Sequence, residues 1–190
     1  MFRDAIFYPL AALIIAATVG FALSLGGGES LDEAEIVKMG WTLEGPALRN
    51  LTISPGSSMR YVDEGGGHAR LSTFTPFDQG PASIGIFAAL GPDFEDAFAG
   101  RTLHITLRAR ASDVAEPLER FDSAYFTVEG PASGWQAFDL GPDWQDYSYT
   151  YAPPIIDAPP AQDLLAVFAG RAGEQKEMDL ARLRIEVLND

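Results

Sequence analysis

Apolar and polar residues alternate along the chain with the period of a β-strand. From Leu103 to Ala111, every second residue is apolar and the residues between are polar or charged. The stretch from Leu183 to Val187 alternates in the same way. Because successive side chains of a strand point to opposite faces, this pattern predicts half-buried strands with one face toward solvent.

Further short segments rich in β-forming residues occur at regular spacing, and Gly-Pro dipeptides separate several of them. Proline fixes φ and cannot donate a hydrogen bond to a central strand pair, so each Gly-Pro favours a turn. Short strands separated by turns predict an all-β, antiparallel sandwich. The predicted strands are 48–53, 59–62, 69–74, 84–89, 121–128, 135–140, 147–151 and 164–168.

The N-terminal region has a different pattern. Residues 5–25 contain no charge and would form roughly 30 Å of helix, the thickness of a bilayer core. We therefore predict four regions: a cytoplasmic N-terminus (1–4), a transmembrane helix (5–25), a linker with a short helix (26–39), and a β-sandwich domain (40–190). The short helix is expected within residues 29–38, where Ser30 is a candidate cap with Glu33 as its partner.

Charge around the apolar segment predicts its orientation. Arg3 precedes it, and acidic residues follow it, which places the N-terminus in the cytoplasm and the sandwich outside. The ratio of 11 arginines to 2 lysines indicates a GC-rich bacterial genome, so we expect an inner-membrane location with a periplasmic domain. A cleaved signal peptide is the alternative, although its apolar region is usually about 7–15 residues long.

Small residues recur at every fourth position of the predicted membrane helix. They are Ala12, Ala16, Gly20 and Ser24. Such a stripe allows another helix to approach closely, which favours packing against integral membrane subunits of a larger complex. An alanine-rich membrane helix also produces this pattern without any partner.

Composition excludes several functions. The net charge of -14 argues against nucleic-acid binding, because a phosphate backbone requires a basic surface. The absence of cysteine excludes disulfides, thiol nucleophiles and zinc–thiolate sites. Hydrophobic residues make up 47% of the chain, enough for a substantial core.

No catalytic or cofactor site emerges from the sequence. The two histidines, His68 and His104, show no zinc-type spacing, and we interpret His104 as an ordinary surface residue. Two acidic groups are interpreted as solvated loops, with calcium binding as the lesser alternative. They are Asp93, Glu95 and Asp96, and Asp143 with Asp146. We therefore predict a protein that is not an enzyme and that has no metal and no cofactor.

The stretch GWQAFDLGPDWQDYSYTY, residues 134–151, contains the candidate contact residues for a ligand or partner. They are Trp135, Trp144, Tyr147 and Tyr149. Alternation places the tyrosines on one strand face and Ser148 and Thr150 on the other, so we expect the tyrosines to point into the sandwich.

Residues 47–188 resemble the jelly-roll domains of carbohydrate-binding modules, also described as galactose-binding-like. The resemblance lies in the aromatic stretch 135–149, the strand 100–110 and the closing segment 178–185. It implies a jelly-roll β-sandwich, which binds sugars in many members and acts as an adaptor in others. Some members hold a structural calcium near the last strand, where Asp179 falls, but no companion carboxylates support a site here.

Two functions follow from these observations. The first is a non-catalytic accessory or scaffolding subunit of a bacterial inner-membrane complex, with its helix in the membrane and its sandwich docked on the periplasmic side. The alternative is a membrane-tethered carbohydrate-binding module that recognises envelope or exported polysaccharide. The small-residue stripe favours the first function, and the aromatic residues favour the second.

Overall fold

The computed structural model describes residues 32–79, 85–114, 117–127, 130–157 and 162–188. In this part of the chain, two antiparallel sheets form a β-sandwich, which confirms the predicted fold class of the domain. The strands are β1 (Trp41–Glu44), β2 (Thr52–Ile53), β3 (Ser57–Val62), β4 (His68–Thr73), β5 (Ile86–Ala89), β6 (Leu103–Ala111), β7 (Arg120–Phe126), β8 (Gln136–Asp139), β9 (Gln145–Tyr151), β10 (Leu164–Phe168) and β11 (Glu177–Val187).

The six-stranded sheet has the order β3-β4-β11-β6-β9, with β1 paired to β11. The long strand β11 is irregular between Leu180 and Arg182. Before this irregularity β11 pairs with β4, and after it β11 pairs with β1. This irregularity therefore lets the two halves of β11 pair with different strands, β4 and then β1, along the same edge.

The five-stranded sheet has the order β2-β5-β10-β7-β8. Leu165 and Val167 of β10 and Phe121 of β7 point into the sandwich. From the opposite sheet, Leu103, Ile105, Leu107, Leu183 and Ile185 meet them, and all of these residues are fully buried. The inward positions are the apolar set of each alternating strand, so burial of their apolar surface stabilises this register.

Two short helices pack together beside the sandwich, α1 (Glu33–Met39) and α2 (Pro92–Phe98). The sequence predicted α1 within residues 29–38, whereas Asp32 occupies the N-cap position and Ser30 lies outside the described residues. The sequence predicted a solvated loop at Asp93, Glu95 and Asp96, which was wrong, because all three lie in α2. Pro92 at its start is pre-organised for a first helical turn, and Asp93 and Glu95 lie in that turn, where carboxylates favour the helix dipole.

The structure corrects the first predicted strand. Residues Gly45–Asn50 form a 3-10 helix, and only Thr52–Ile53 pair as a strand. Pro46 explains the difference, because it lacks an N–H group for a sheet and favours the start of a helical turn. The strand Trp41–Glu44 was not predicted.

The predicted transmembrane helix, including Ala12, Ala16, Gly20 and Ser24, lies outside the described residues. Among the residues that are described, no helix is long and apolar enough to cross a membrane. The membrane helix and its small-residue stripe therefore stay predictions.

Candidate functional site

The outward face of the five-stranded sheet is apolar at its centre. In β10, Ala166 and Phe168 lie on this face and are as buried as the core residues on the other face. Ala124 of β7 lies directly beside Ala166 and is also fully buried. Because these three residues point away from the sandwich core, other groups must cover them from outside.

Aromatic rings provide this cover. Trp135, just before β8, makes edge contacts with Phe77 at 5.7 Å, Phe126 at 5.5 Å and Phe168 at 6.0 Å between ring centroids. Phe77 also contacts Phe168 at 5.3 Å. Phe168 is buried, while Trp135 and Phe77 remain half-buried. These edge contacts hold the indole ring in place and leave part of its surface open.

The loop after β10 carries Arg171 to this cluster. The backbone N–H of Phe77 donates a hydrogen bond to the Arg171 carbonyl at 3.0 Å. Gly173 closes the loop with a φ of 65°, and a Cβ atom there would lie 2.6 Å from the backbone nitrogen of Pro76. Only glycine tolerates both conditions, so Gly173 allows the loop to pack against the segment that carries Phe77.

Arg171 is fixed by an aromatic ring and by a buried acid. Its guanidinium lies over the Phe77 ring, 4.6 Å from the centroid. Its Nη2 atom is 2.9 Å from Oδ1 of Asp122, whose side chain is 1% exposed, whereas the Arg171 side chain is 49% exposed. The buried carboxylate thus forms an ion pair, without hydrogen-bond geometry, with an arginine that is half exposed.

These groups border a trough of about 580 Å³ on the outward face of the five-stranded sheet. Its lining residues are Arg120, Asp122, Trp135, Ala137, Gly170, Arg171, Ala172 and Glu174. Two arginines and two carboxylates balance in formal charge beside an indole ring. Such a surface suits an uncharged ligand with an apolar face and a rim of hydrogen-bonding groups.

The outward face of the six-stranded sheet is charged. One row crosses four neighbouring strands through Arg60, Arg70, Asp179 and Arg110. The Asp179 side chain is fully buried; Nε of Arg70 donates to its Oδ1 at 2.7 Å, and Nε of Arg110 donates to its Oδ2 at 3.2 Å. The hydrogen bond to Asp179 raises the pKa of Arg70, and the pKa of the exposed Asp113 is lowered by its own bond from Arg70.

Trp144 lies over one end of this row. The Arg110 guanidinium stacks on the indole ring at 4.7 Å, and the His68 ring makes an edge contact at 5.6 Å. His68 is buried, with its Nε2 atom 3.4 Å from Oδ2 of Asp179. Trp144, Arg70 and Arg110 border a basin of about 410 Å³.

The other two candidate residues from the sequence, Tyr147 and Tyr149, pack between the sheets against the core. The Tyr147 hydroxyl accepts a hydrogen bond from the backbone N–H of Gly141 at 3.1 Å. Burial raises the pKa of Tyr149 to about 12. Their inward orientation agrees with the alternation in the sequence, and it leaves them out of the sites that we propose.

Trp135 and Trp144 belong to opposite sheets, so the structure does not bring the four candidate residues into one site. Trp135 borders the trough, and Trp144 borders the basin. A single aromatic stretch of the sequence therefore contributes one ring to each outer surface.

Two of the acidic residues considered in the sequence as possible calcium ligands are paired with arginines. Asp179, which falls where some related domains hold calcium, has both oxygens engaged by arginines and is therefore not placed to bind a cation. Asp146 pairs with Arg108 at 3.3 Å and with Arg182 at 3.5 Å. The described residues include no group of three or more acidic or histidine ligands that could hold a metal ion.

A further buried carboxylate lies at one end of the sandwich. Asp163 is fully buried and accepts a hydrogen bond from the Tyr125 hydroxyl at 2.6 Å. Burial raises the pKa of Asp163 to about 6, and the charge of Glu95 acts in the same direction. Burial also raises the pKa of Tyr125, so this hydroxyl remains a donor.

Most residues of the trough, including Asp122, Arg171 and Glu174, were not predicted from the sequence, and neither was Phe77, which supports Trp135. One signal was present, because the segment 164–168 is apolar at every position. A strand that is apolar on both faces must be covered on both sides. That rule predicts an additional apolar layer outside the sheet, although it does not identify the residues that form it.

Solved structures with this fold include carbohydrate-binding modules. The chain matches the CBM22-2 xylan-binding domain from Paenibacillus barcinonensis Xyn10C with a TM-score of 0.55 and 9% identity, over 78% of this chain and 99% of that chain. It matches the C-terminal family 22 carbohydrate-binding module of Clostridium thermocellum Xyn10B with a TM-score of 0.54 and 14% identity, over 78% and 92% of the two chains.

A third match is the tandem CBM22-1–CBM22-2 structure from Paenibacillus barcinonensis Xyn10C, with a TM-score of 0.50 and 14% identity. It covers 75% of this chain but 42% of that chain, so the chain spans less than half of the tandem structure. No protein-family model and no curated protein sequence matches the chain. At these identities the likeness shows the fold: the described domain is a carbohydrate-binding-module-like jelly roll.

Proposed function

We propose that the domain is a non-catalytic carbohydrate-binding module, and that the trough around Trp135 binds a neutral oligosaccharide. The observation that carries this proposal is the combination of a half-buried indole ring with Arg171, Arg120 and Glu174 at its border. The apolar face of a sugar ring packs on an indole, while donors and acceptors at the rim bind its hydroxyl groups.

Pre-organisation supports the same function. Trp135 is held by three phenylalanine rings, and Arg171 is held by Asp122 and Phe77. A ligand therefore meets side chains that have already lost much of their freedom, which lowers the entropic cost of binding. The balanced charge of the lining favours neutral sugars over polyanions.

The shared fold also favours carbohydrate binding over the accessory-subunit interpretation. The matched solved structures are named as a xylan-binding domain and as a family 22 carbohydrate-binding module. Because fold alone does not determine a ligand, the choice of sugar rests on the lining of the trough and on experiment.

The predicted helix at residues 5–25 adds a membrane tether to the proposal. In this arrangement the helix anchors the module in a bacterial inner membrane, and the domain binds envelope or exported polysaccharide on the periplasmic side. Alkaline extraction of membranes tests the tether. We expect the full chain to stay with the membrane fraction, and its complete release into the soluble fraction would contradict the tether.

The binding proposal is tested by titrating the full chain, purified in mild detergent, with neutral hexasaccharides of xylose, glucose and mannose. We expect at least one of them to bind, and Trp135→Ala to weaken that binding about tenfold or more. Trp135→Phe keeps a stacking surface and should retain most of the affinity.

Ile155→Ala is a matched control, because Ile155 is an exposed apolar residue (81%) that does not border the trough. This variant should bind like the unmodified chain. Equal affinity of Trp135→Ala and Ile155→Ala would overturn the assignment of the trough.

A further inference from the structure

The outward face of the six-stranded sheet carries a second arrangement of groups around Trp144. We propose that the basin bordered by Trp144, Arg110 and Arg70 is a second binding site for neutral oligosaccharide. One domain would then bind two saccharide segments, one on each outer face. This inference shares only its ligand class with the proposed function, since it concerns a different sheet and different residues.

Asp179 holds the two arginines of this site in position. Its side chain is completely buried, and it binds the Nε and Nη2 atoms of Arg70 at 2.7 and 3.0 Å. The same two atoms of Arg110 lie 3.2 and 3.1 Å from its Oδ2 atom. Each guanidinium is therefore fixed through one edge to a carboxylate that cannot move into solvent.

Part of each guanidinium faces the basin. Asp179 engages the Nε and Nη2 atoms of both arginines, and Nη2 of Arg70 also donates to the exposed Asp113. The side chains are 10% and 25% exposed, respectively, and both border the basin. Each arginine therefore presents a fixed guanidinium edge to any ligand that enters the basin.

Arg110 also fixes the aromatic ring. Its guanidinium covers the Trp144 indole at 4.7 Å, and His68 supports the ring from its edge at 5.6 Å. The indole is half-buried, so part of its apolar surface is exposed at the border of the basin. A chain of contacts thus runs from the buried acid through an arginine to a half-buried ring.

The remaining lining supplies hydrogen-bond acceptors. Glu64 and Asp113 border the basin and are exposed carboxylates. Together with Asp179 they balance the three arginines of the basin, the third being Arg60. Balanced charge does not attract a polyanion, whereas fixed donors, acceptors and a ring match the hydroxyl groups and apolar face of a neutral sugar.

A factorial experiment with the full chain tests the second site. The unmodified chain, Trp135→Ala, Trp144→Ala and the double variant are titrated with the same neutral hexasaccharides, and affinity and stoichiometry are measured by calorimetry. Circular dichroism confirms that each variant is folded, and Trp144→Phe keeps a ring if Trp144→Ala does not fold.

We expect two saccharides per chain in the unmodified protein, one in each single variant, and a loss of about tenfold or more at the altered site. The double variant should lose both sites. If Trp135→Ala alone abolishes all binding, the second site is overturned and the proposed function stands.

If Trp144→Ala alone abolishes all binding, the second site stands and the trough is overturned. If no hexasaccharide binds the unmodified chain, both proposals are overturned. Binding of an acidic oligosaccharide such as hexagalacturonate, with no neutral sugar bound in the basin, would also overturn the stated ligand class.

Discussion

The two outer faces of the sandwich share one arrangement, in which an acid contacts an arginine and the arginine contacts an aromatic ring, but the surroundings of this arrangement differ. On the five-stranded sheet, buried Asp122 binds Arg171, and Arg171 stacks on Phe77. On the six-stranded sheet, buried Asp179 binds Arg110, and Arg110 stacks on Trp144. On each face a buried acid therefore fixes an arginine, and the arginine fixes an aromatic ring.

The surroundings of the ring distinguish the two faces. Phe77 belongs to a cluster of four rings that covers a patch of apolar strand residues. Trp144 instead lies over a row of charged residues, with Arg70 as a second partner of the buried acid. The first face depends on ring packing, and the second depends on ion pairs. The two faces should therefore respond differently to substitution.

The largest expected effect is on the charged face. Asp179→Ala leaves Arg70, which is 10% exposed, without its buried partner, so the free energy of unfolding should fall by about 3–5 kcal/mol. Urea unfolding measures the change. The matched control is Asp113→Ala, which removes an exposed partner of the same arginine and should change stability little.

Asp122→Ala sharpens the comparison, because its partner Arg171 is 49% exposed and can regain water. We expect a smaller loss than for Asp179→Ala. Equal losses at the two positions would contradict the difference between the faces.

The next effect concerns the loop of the aromatic face. Gly173→Ala places a Cβ atom against the Pro76 backbone at a positive φ, which should cost about 1–2 kcal/mol and displace Arg171. Thermal unfolding and oligosaccharide titration measure the two consequences. Gly91→Ala is the control, since Gly91 has no heavy atom within 4 Å of an added Cβ and no positive φ. If the trough depends on Gly173, only Gly173→Ala should lower oligosaccharide affinity, because Gly91 caps α2 and its substitution acts on stability alone.

A further substitution blocks the trough without removing any ring. Ala137 is exposed and borders the trough, so Ala137→Ile should reduce oligosaccharide affinity about tenfold while stability changes by less than about 0.5 kcal/mol. Thr150→Ile adds bulk at an exposed position of the other sheet and should leave trough binding intact. An unchanged oligosaccharide affinity of Ala137→Ile would contradict the proposal that the trough binds the ligand.

The last effect depends on pH and concerns Asp163, which lies on neither outer face. Its pKa of about 6 in the folded protein is above that of an unfolded aspartate, about 3.9, so folding favours the protonated form. This contribution to stability is fully present below about pH 4 and is lost as the pH rises to 6.

Asp163→Asn removes this titration. Relative to the variant, the unmodified chain should lose stability between pH 4 and pH 6, as thermal unfolding at several pH values would show. Asp93→Asn, an exposed position on α2, serves as the control. A constant difference between the unmodified chain and Asp163→Asn across this range would contradict the role of Asp163.

The sequence predicts most of the strands because alternation records which face is buried. The stretch from Leu103 to Ala111 forms a strand with the predicted bounds, and Tyr147 and Tyr149 point inward as their alternation predicts. The strand predicted before Leu51 was wrong, because Pro46 lies at the start of a 3-10 helix there. The alternation of apolar and polar residues is therefore sufficient to predict a strand and its buried face when the burial follows from that strand alone.

The sites could be predicted only in part, because they join residues that are distant in sequence. Asp122 and Arg171 meet through two paired strands and a loop, and Phe77 joins them from a 3-10 turn. Nothing in the local pattern predicts these contacts. Trp135 and Trp144 stand out in the sequence as aromatic residues, but only the topology assigns them to opposite sheets.

The most direct test of carbohydrate binding uses the indole N–H signals of the three tryptophans in a nitrogen–proton NMR spectrum. Trp41 packs against the core, whereas Trp135 borders the trough and Trp144 borders the basin. Titration of the full chain with neutral hexasaccharides should shift the Trp135 signal in a saturable way and leave the Trp41 signal in place. A Trp135 signal that stays unchanged with every hexasaccharide would contradict the proposed trough.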